Sequence, residues 1–591
     1  MLAHFLGSRL FRLRCSWVAQ SDLAHARSIT TRPIDNLSYV IGERNVPLLV
    51  ETLYRNLRNT VERFATNLAV IDHHHATTPR TVTYEQFLDR VESIASGMVA
   101  LGVSHGDRIA VYATNSLEWA VLQYAAAMVG AIQVSLNPAL RHDELVHALS
   151  KTQCSVIFLS KEYKKQSQLP ILESALPALP HLRICVLIDA HSHDALPPGW
   201  LEWEDVLASG QSRAHRSAAF KQESTVRPSE AANIQFTSGT TGMPKAATLS
   251  HINILNNGYF IGQRLRYSPR DRVCIPVPLF HCFGQVLGNL ACTTSGATMV
   301  YPGPGFDPEQ TLKAIVRSRA TSIYGTPTHF ISMLDAPRFS LYDTASSLRT
   351  GIMAGAPCPP PIMRRVREEM GAHDVSICFG QTETSPVSFQ TLPNDSEERR
   401  VGTVGTIHPH LEACVVDPDS KRERLPLNTP GELIVRGYSV MMGYFGDDEA
   451  TAKTIDADGF YRTGDLASID GDGYLRIVGR IKDVVIRGGE NLFPKEIEDF
   501  LHTHPDVSEV QVFGVPDKKY GEQLCAWVKL KNGGSTGHHQ QLREWCTGKI
   551  SKHKIPKYWK IVSEYPTTTS GKPQKFIMRK MASEELGLGG R

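Results

Sequence analysis

The sequence predicts an α/β fold: a large N-terminal domain of stacked βαβ-rich sheets with a small β-barrel-like part, then a small mobile α+β C-terminal domain. Three observations lead there. Short apolar runs alternate with helical stretches over most of the chain, which implies parallel βαβ packing. After Gly431 the pattern becomes glycine-punctuated alternating strands (GELIVRG, GYLRIVGR), and another strand-and-helix unit comes after Lys482. At 591 residues, 41% of them hydrophobic, the chain is long enough for more than one core. No repeat of short fixed period points to a solenoid.

The first segment, residues 1–32, carries Arg9, Arg12, Arg14, Arg27 and Arg32 against one acid, Asp22. Phe5, Leu6, Leu10, Phe11 and Leu13 can form an apolar helix face opposite those arginines. That is the character of a mitochondrial transit peptide, and it predicts a location in the mitochondrial matrix. The C-terminal GLGGR lacks the Ser-Lys-Leu type of peroxisomal signal.

Residues 106–138 read as strand, turn, helix, strand. The apolar stretch 119–136 inside them is interrupted by Gln123, Gly130 and Gln133, so it predicts a buried helix entering a core strand and no membrane span. SVIFLS (155–160), RICVLI (183–188) and TSIYGTP (321–327) read as further strands, and LKAIVRSRA (312–320) as a helix. Residues 190–230, rich in His, Ser, Pro and Ala, read as surface connections with solvated histidines. Beyond Lys482, EVQVFGV (509–515), QLCAWVKL (523–530) and a helix around LREWCTGKI (542–550) suggest a βαβ-like unit.

Composition excludes several classes. With 63 basic and 60 acidic side chains, a net charge of +3, no global field draws the chain to nucleic acid or an anionic membrane. Eleven cysteines, an odd number with no CxxC, fit free thiols in a reducing compartment and give no support to zinc or iron–sulfur sites.

The strongest local signal is Thr237-Ser238-Gly239-Thr240-Thr241-Gly242-Met243-Pro244-Lys245, after the strand-like AANIQF. Its hydroxyl and backbone N–H groups can wrap a polyphosphate, and Lys245 adds a point charge. It is not a Walker A loop, because Pro244 precedes the lysine and Ala246 comes after it.

At this loop the sequence resembles the adenylate-forming superfamily, which includes acyl-CoA synthetases, peptide-synthetase adenylation domains and firefly-type luciferases. The other motifs of that superfamily stand in order across roughly residues 80–580. Gly355-Ala356-Pro357 and Phe379-Gly380-Gln381-Thr382-Glu383 look like the adenine clamp and metal segments, with Phe379 where the family usually has Tyr. A ring there needs only a π face to stack on adenine. The resemblance implies that Glu383 is a Mg2+ ligand, Asp465 in Tyr461-Arg462-Thr463-Gly464-Asp465 the ribose acceptor, and Arg480 a second ribose contact. It implies a hinge at Lys482, which would divide the chain into 33–481 and 482–591. It makes Gly488-Gly489-Glu490-Asn491 the loop presented to coenzyme A, and Lys572, with Thr240 and Glu383, catalytic. A lysine beside the α-phosphate would stabilise the charge that develops there.

Pro278-Leu279-Phe280-His281-Cys282-Phe283-Gly284 and Tyr324-Gly325-Thr326-Pro327-Thr328 resemble acyl-pocket segments of fatty acyl-CoA synthetases. They contribute His281, Phe283, Tyr324 and Gly325 to an apolar lining. His281 either gates that pocket or satisfies a core hydrogen bond. The overall wording, including IQFTSGTTG, RGGEN and KISKHKIPKY, resembles most the mitochondrial medium-chain group called acyl-CoA synthetase family member 2. The resemblance implies fatty acid, ATP, Mg2+ and coenzyme A as ligands, and neither a nucleic acid partner nor a transmembrane segment is expected. No carrier-protein domain is evident before residue 80 or after the last motif. Arg487, Lys549, Lys552, His553, Lys554 and Lys557 are candidates for the phosphates of coenzyme A, or a solvated helix face. Another acid or acceptor (carrier protein or oxygen) and a non-catalytic nucleotide- or lipid-binding protein remain as alternatives.

Overall fold

The computed structural model describes residues 33–74, 78–189, 196–237, 244–356, 358–420, 423–531, 537–567 and 573–588. The leader 1–32, the loop residues Ser238, Gly239, Thr240, Thr241 and Gly242, Pro357 and Lys572 lie outside them.

Two large mixed sheets build the N-terminal domain. In one, strands Leu201–Glu202, Ile184–Leu187, Val156–Leu159, Arg108–Tyr112, Ile132–Ser135 and Ala231–Thr237 run parallel, and Lys245–Ser250 and Gly443–Tyr444 extend the sheet antiparallel. In the other, the parallel strands are Asp374–Gly380, Thr350–Met353, Ser322–Gly325, Arg272–Cys274, Thr298–Tyr301 and Leu68–Asp72, with antiparallel strands at both edges.

Strands buried on both faces read as continuous apolar runs, which is why the sequence exposes them. Ile109, Val111, Val156 and Phe158 from the first sheet, and Val70, Met299 and Tyr301 from the second, meet in one core. Helices Leu53–Phe64, Tyr84–Ala100, Leu117–Met128 and His251–Arg264 fill the space between the sheets. Ala110, Tyr112, Ile157 and Leu159 pack outward on helices His142–Thr152 and Leu169–Ala175. Ile323, Met353 and Val375 pack outward on helices Pro308–Ser318, Pro327–Leu334 and Pro360–Glu369. The layers therefore run helix, sheet, helix, sheet, helix. Residues 119–136 are the predicted buried helix and strand, and every residue of Leu117–Met128 except Glu118 is buried. Among the described residues no helix is long and apolar enough to cross a membrane.

The β-barrel-like part is a five-stranded antiparallel sheet of Tyr39–Ile41, Leu411–Val416, Gly431–Gly437, Tyr461–Ile469 and Leu475–Arg480. It packs against Phe389 and Ile407 of the second large sheet. In the C-terminal domain, strands Val507–Asp517 and Gly521–Leu530 form an antiparallel hairpin. The βαβ unit expected there begins one strand later: Gly521–Leu530, helix His538–Cys546, then Tyr558–Ile561 parallel to the first. A three-residue loop ending at Gly521, φ +79°, closes the hairpin.

A second expectation gives way at residues 190–230, which hold two helices, Trp203–Gly210 and Arg213–Glu223. Only Trp203, Val206 and Ala219 of their apolar side chains are buried, with Leu207 and Phe220 half-buried against the core, so the apolar stripe is too sparse to register in the sequence. His215 there donates to the Ser209 carbonyl at 3.0 Å, and His191 and His193 lie outside the described residues.

Candidate active site

Thr237 and Lys245 are paired residues at the end of an antiparallel hairpin. The Ser/Thr/Gly-rich segment between them therefore closes a strand–loop–strand unit, whereas a Walker A loop leads from a strand into a helix. The Lys245 ammonium stands 4.8 Å from the ring centroid of Tyr444. Tyr444 in turn donates its hydroxyl to Glu383 Oε1 at 3.0 Å. Glu383 is buried in a short 3-10 turn, Thr382–Thr384, just past the end of strand Asp374–Gly380.

The parallel pairing of Thr350–Met353 with Asp374–Gly380 brings Gly355, Ala356, Phe379 and Gly380 to the same carboxyl edge of the sheet. Ligands of open α/β sheets bind at such edges. Gly355 has φ +86°, which its lack of a side chain permits. A Cβ on Gly380 would fall 1.8 Å from the Pro386 carbonyl oxygen, so only glycine lets the strand pass there.

Gln381 joins this edge to the antiparallel sheet. Its amide donates to Asp465 Oδ2 at 2.6 Å and to the Thr463 carbonyl at 2.9 Å, and its Oε1 accepts from the Tyr461 hydroxyl at 2.5 Å. Asp465 is opposite Arg480 in the strand register and accepts from its Nε at 3.1 Å. Burial raises the Asp465 pKa, while Arg480 and the Gln381 hydrogen bond work against that rise. Lys482, in the 3-10 turn Ile481–Asp483, has its pKa lowered by burial and by the neighbouring Arg480 charge.

In the segments expected to line the acyl pocket, His281 Nδ1 accepts from the Phe283 backbone N–H at 3.1 Å, so the imidazole caps the helix that starts at Cys282. Cys282 Sγ lies 3.9 Å from Thr382 Oγ1, which places this segment against the Thr382–Thr384 turn that holds Glu383. Phe283 stacks on Tyr324 with centroids 5.9 Å apart. Tyr324 is fully buried and its hydroxyl accepts from Tyr267 at 2.9 Å. Gly325 faces the Phe330 ring, 3.0 Å from where a Cβ would stand.

In the C-terminal domain, Gly488 (φ +62°) and Gly489 (φ +87°) form the two-residue turn of a hairpin that pairs Arg487 with Glu490 and Ile486 with Asn491. Arg487 lies over the Tyr520 ring and donates to Gln523 Oε1 at 2.8 Å. Lys554 is paired with Glu496 at 2.5 Å and Lys557 with Asp517 at 2.9 Å. Lys549 stands over Trp545, 3.0 Å from its centroid. Lys572 lies outside the described residues; the residues on either side are joined by a Thr567–Pro573 bridge and a Gln574 N–H to Pro566 carbonyl hydrogen bond of 2.8 Å.

Family models match the chain twice: AMP-binding enzyme over residues 57–445 and AMP-binding enzyme C-terminal domain over 496–572. The chain belongs to the AMP-binding enzyme family. It is 41% identical over 568 residues to the mitochondrial medium-chain acyl-CoA ligase ACSF2 of Macaca fascicularis, covering 94% of this chain and 91% of that one. It is also 41% identical over 556 residues to the putative acyl-CoA synthetase YngI of Bacillus subtilis, covering 92% and 99%. Among solved structures, the anthranilate CoA ligase AuaEII with anthranoyl-AMP superimposes with a TM-score of 0.81 at 25% identity, over 92% of this chain and 99% of that one. ATP-bound MatB of Rhodopseudomonas palustris gives 0.76 at 28%, over 91% and 100%.

In this AMP-binding enzyme, two tyrosines reach the site that sequence reasoning left without a role. Tyr461 carried a usable signal, because strand alternation sets it on the face of Thr463 and Asp465. Tyr444 carried none, since only the pairing of Gly443–Tyr444 with Ala247 and Thr248 brings it near Lys245. Among the described residues only Tyr444 donates a hydrogen bond to the Glu383 carboxylate. A buried carboxylate with oxygen valence left over suits a hard divalent cation such as Mg2+.

Proposed function

We propose that this ligase activates a fatty acid, most readily a medium-chain one, with ATP as its acyl-adenylate and then transfers the acyl group to coenzyme A, giving acyl-CoA, AMP and diphosphate. The observation that carries the reading is the joined set Lys245–Tyr444–Glu383 and Gln381–Asp465–Arg480, which offers a cation, a metal carboxylate and a ribose acceptor along one edge. The acyl-CoA ligase names of relatives at 40–41% identity support the same class.

Adenine rests between the Gly355–Ala356–Pro357 backbone and Phe379, with Gly380, Gln381 and Thr382 beneath. Asp465, held by Gln381 and Arg480, accepts the ribose hydroxyls; an ionised acceptor makes those bonds strong. Residues Thr237, Ser238, Gly239, Thr240, Thr241 and Gly242 wrap the phosphates with Lys245. Glu383 would hold Mg2+, whose charge neutralises the phosphate oxygens. The fatty carboxylate oxygen attacks the α-phosphorus as the bond to diphosphate breaks, and Lys572 stabilises the charge that develops. His281, Phe283, Tyr324 and Gly325 line the acyl side.

The domain of residues 482–591 then turns about Lys482, withdrawing Lys572 and presenting Gly488–Asn491, so that the coenzyme A thiol reaches the acyl carbon and AMP leaves. Residues 1–32 act as a mitochondrial transit peptide. The relatives' names divide on location, since the Bacillus protein is as similar as the mitochondrial ones. The arginine-rich leader supports the matrix, and deleting it abolishes mitochondrial import of a tagged chain if the assignment holds.

The test of the activity is AMP release by purified protein from octanoate and ATP, with and without coenzyme A. The reading expects strong coenzyme A-dependent release with octanoyl-CoA as product. Diphosphate without thioester would replace the acceptor, and no diphosphate with any fatty acid would overturn the reading.

A further inference from the structure

The geometry points to Tyr444 as a positioning residue that ties the metal carboxylate Glu383 to the phosphate-loop lysine Lys245. This rests on the proposed function, in which Glu383 holds Mg2+ and Lys245 meets the ATP phosphates.

One side chain touches both groups with two different parts. The hydroxyl donates to Glu383 Oε1 at 3.0 Å, and the ring face takes the Lys245 ammonium at 4.8 Å from its centroid. Either contact alone is ordinary; together they fix the distance between a cation and an anion that must meet the same polyphosphate. The backbone around Tyr444 is tied to the same two elements. The Met441 N–H donates to the Glu383 carbonyl at 2.9 Å, the Met442 N–H to the Thr248 carbonyl at 2.9 Å, and the Phe445 N–H to the Ala246 carbonyl at 2.8 Å. Residues 441–445 thus strap the metal segment to the strand that leaves the phosphate loop.

The tyrosine is buried, and its phenol O–H is the donor to the carboxylate. Donating to only one carboxylate oxygen, it restrains the carboxylate and leaves the other oxygen available to a cation. The ring supplies a site for Lys245 that spares the lysine from pairing directly with Glu383, a pairing that would consume the charges both need for ligand binding.

Two substitutions separate the two contacts. Tyr444→Phe keeps the ring and removes the hydroxyl; Tyr444→Leu removes both. The measurements are Mn2+ affinity by electron paramagnetic resonance, with a non-hydrolysable ATP analogue bound, and calorimetric affinity for ATP in EDTA. Thermal melting serves as the folding control. Tyr444→Phe is expected to weaken Mn2+ binding about tenfold, the scale of one hydrogen bond to a charged group, and to leave metal-free ATP affinity within about twofold. Tyr444→Leu is expected to weaken metal-free ATP binding as well, by about threefold to fivefold. Should Tyr444→Phe bind Mn2+ like the parent while Glu383→Gln binds it weakly, the positioning role is wrong and the metal reading stands. Unchanged Mn2+ affinity in Glu383→Gln would instead remove the metal reading, and this role with it.

Discussion

The proposed nucleotide edge of the large domain and the surface of the small domain proposed to meet coenzyme A hold their polar groups differently. Glu383 and Asp465 are buried, 8% and 4% exposed, and each accepts a hydrogen bond from a side chain distant in sequence, Tyr444 and Gln381. On the small domain, the Gly488–Gly489 turn and Lys552 are exposed, and Lys554 and Lys557 are paired with acids of their own domain. One surface is organised in advance; the other exchanges partners cheaply, because exposed ion pairs contribute only about 0–1 kcal/mol. The difference suits a ligase in which one half stays still through both reactions and the other half moves between them.

The largest break in that contrast comes from Lys572→Ala, the group that the proposed mechanism has the small domain lend to the first reaction. Adenylation is expected to fall about 100- to 1,000-fold, measured as fatty acid-dependent diphosphate release, while thioester formation from supplied acyl-AMP stays near the parental rate. Equal loss of both halves would contradict the division of labour.

Acidification is expected to weaken the large domain. His251 is buried and His329 half-buried there, and desolvation lowers both pKa values from 6.5 to about 4. The unfolded chain takes up protons on these groups before the folded one does. The stability they contribute is therefore present above about pH 6.5 and is lost as pH falls towards 4, at a scale on the order of 3 kcal/mol each. Denaturant midpoints across that range check this, and His251→Gln should flatten the slope.

Asp465→Ala leaves Gln381 and Arg480 without their shared acceptor and removes the proposed ribose acceptor. The KM for ATP is expected to rise about tenfold to 100-fold, with the KM for coenzyme A unchanged. The smallest effect belongs to the exposed surface. Charge reversal at Lys552 and Lys554 should raise the KM for coenzyme A about threefold to tenfold and spare adenylation, and an unchanged coenzyme A requirement would detach those lysines from its phosphates.

Much of this was legible in the chain itself. The parallel strands stand out because both of their faces are buried, and the helix–strand passage 117–135 because Gly130 and the two glutamines break an otherwise apolar run. The 237–245 segment was legible from its glycine and hydroxyl residues, and the remaining nucleotide segments only through their resemblance, in order, to those of the adenylate-forming superfamily. What stayed hidden depends on register between distant strands. Tyr444 enters the site only through its pairing with Ala247, and the 507–530 hairpin only through the three-residue loop at 518–520. The helices at 203–223 were masked by sparse burial. On the acyl side, the Tyr324 hydroxyl bonds to Tyr267, a partner 57 residues away that no local pattern announces.

ATP–diphosphate exchange in the absence of coenzyme A tests the central claim most directly, because a preorganised nucleotide edge should complete and reverse the first reaction without the second acceptor. The account predicts that labelled diphosphate enters ATP only when a fatty acid is supplied, most rapidly with chains near octanoate, and that this exchange is lost in Lys572→Ala. Exchange that requires coenzyme A, or none with any fatty acid, would contradict it.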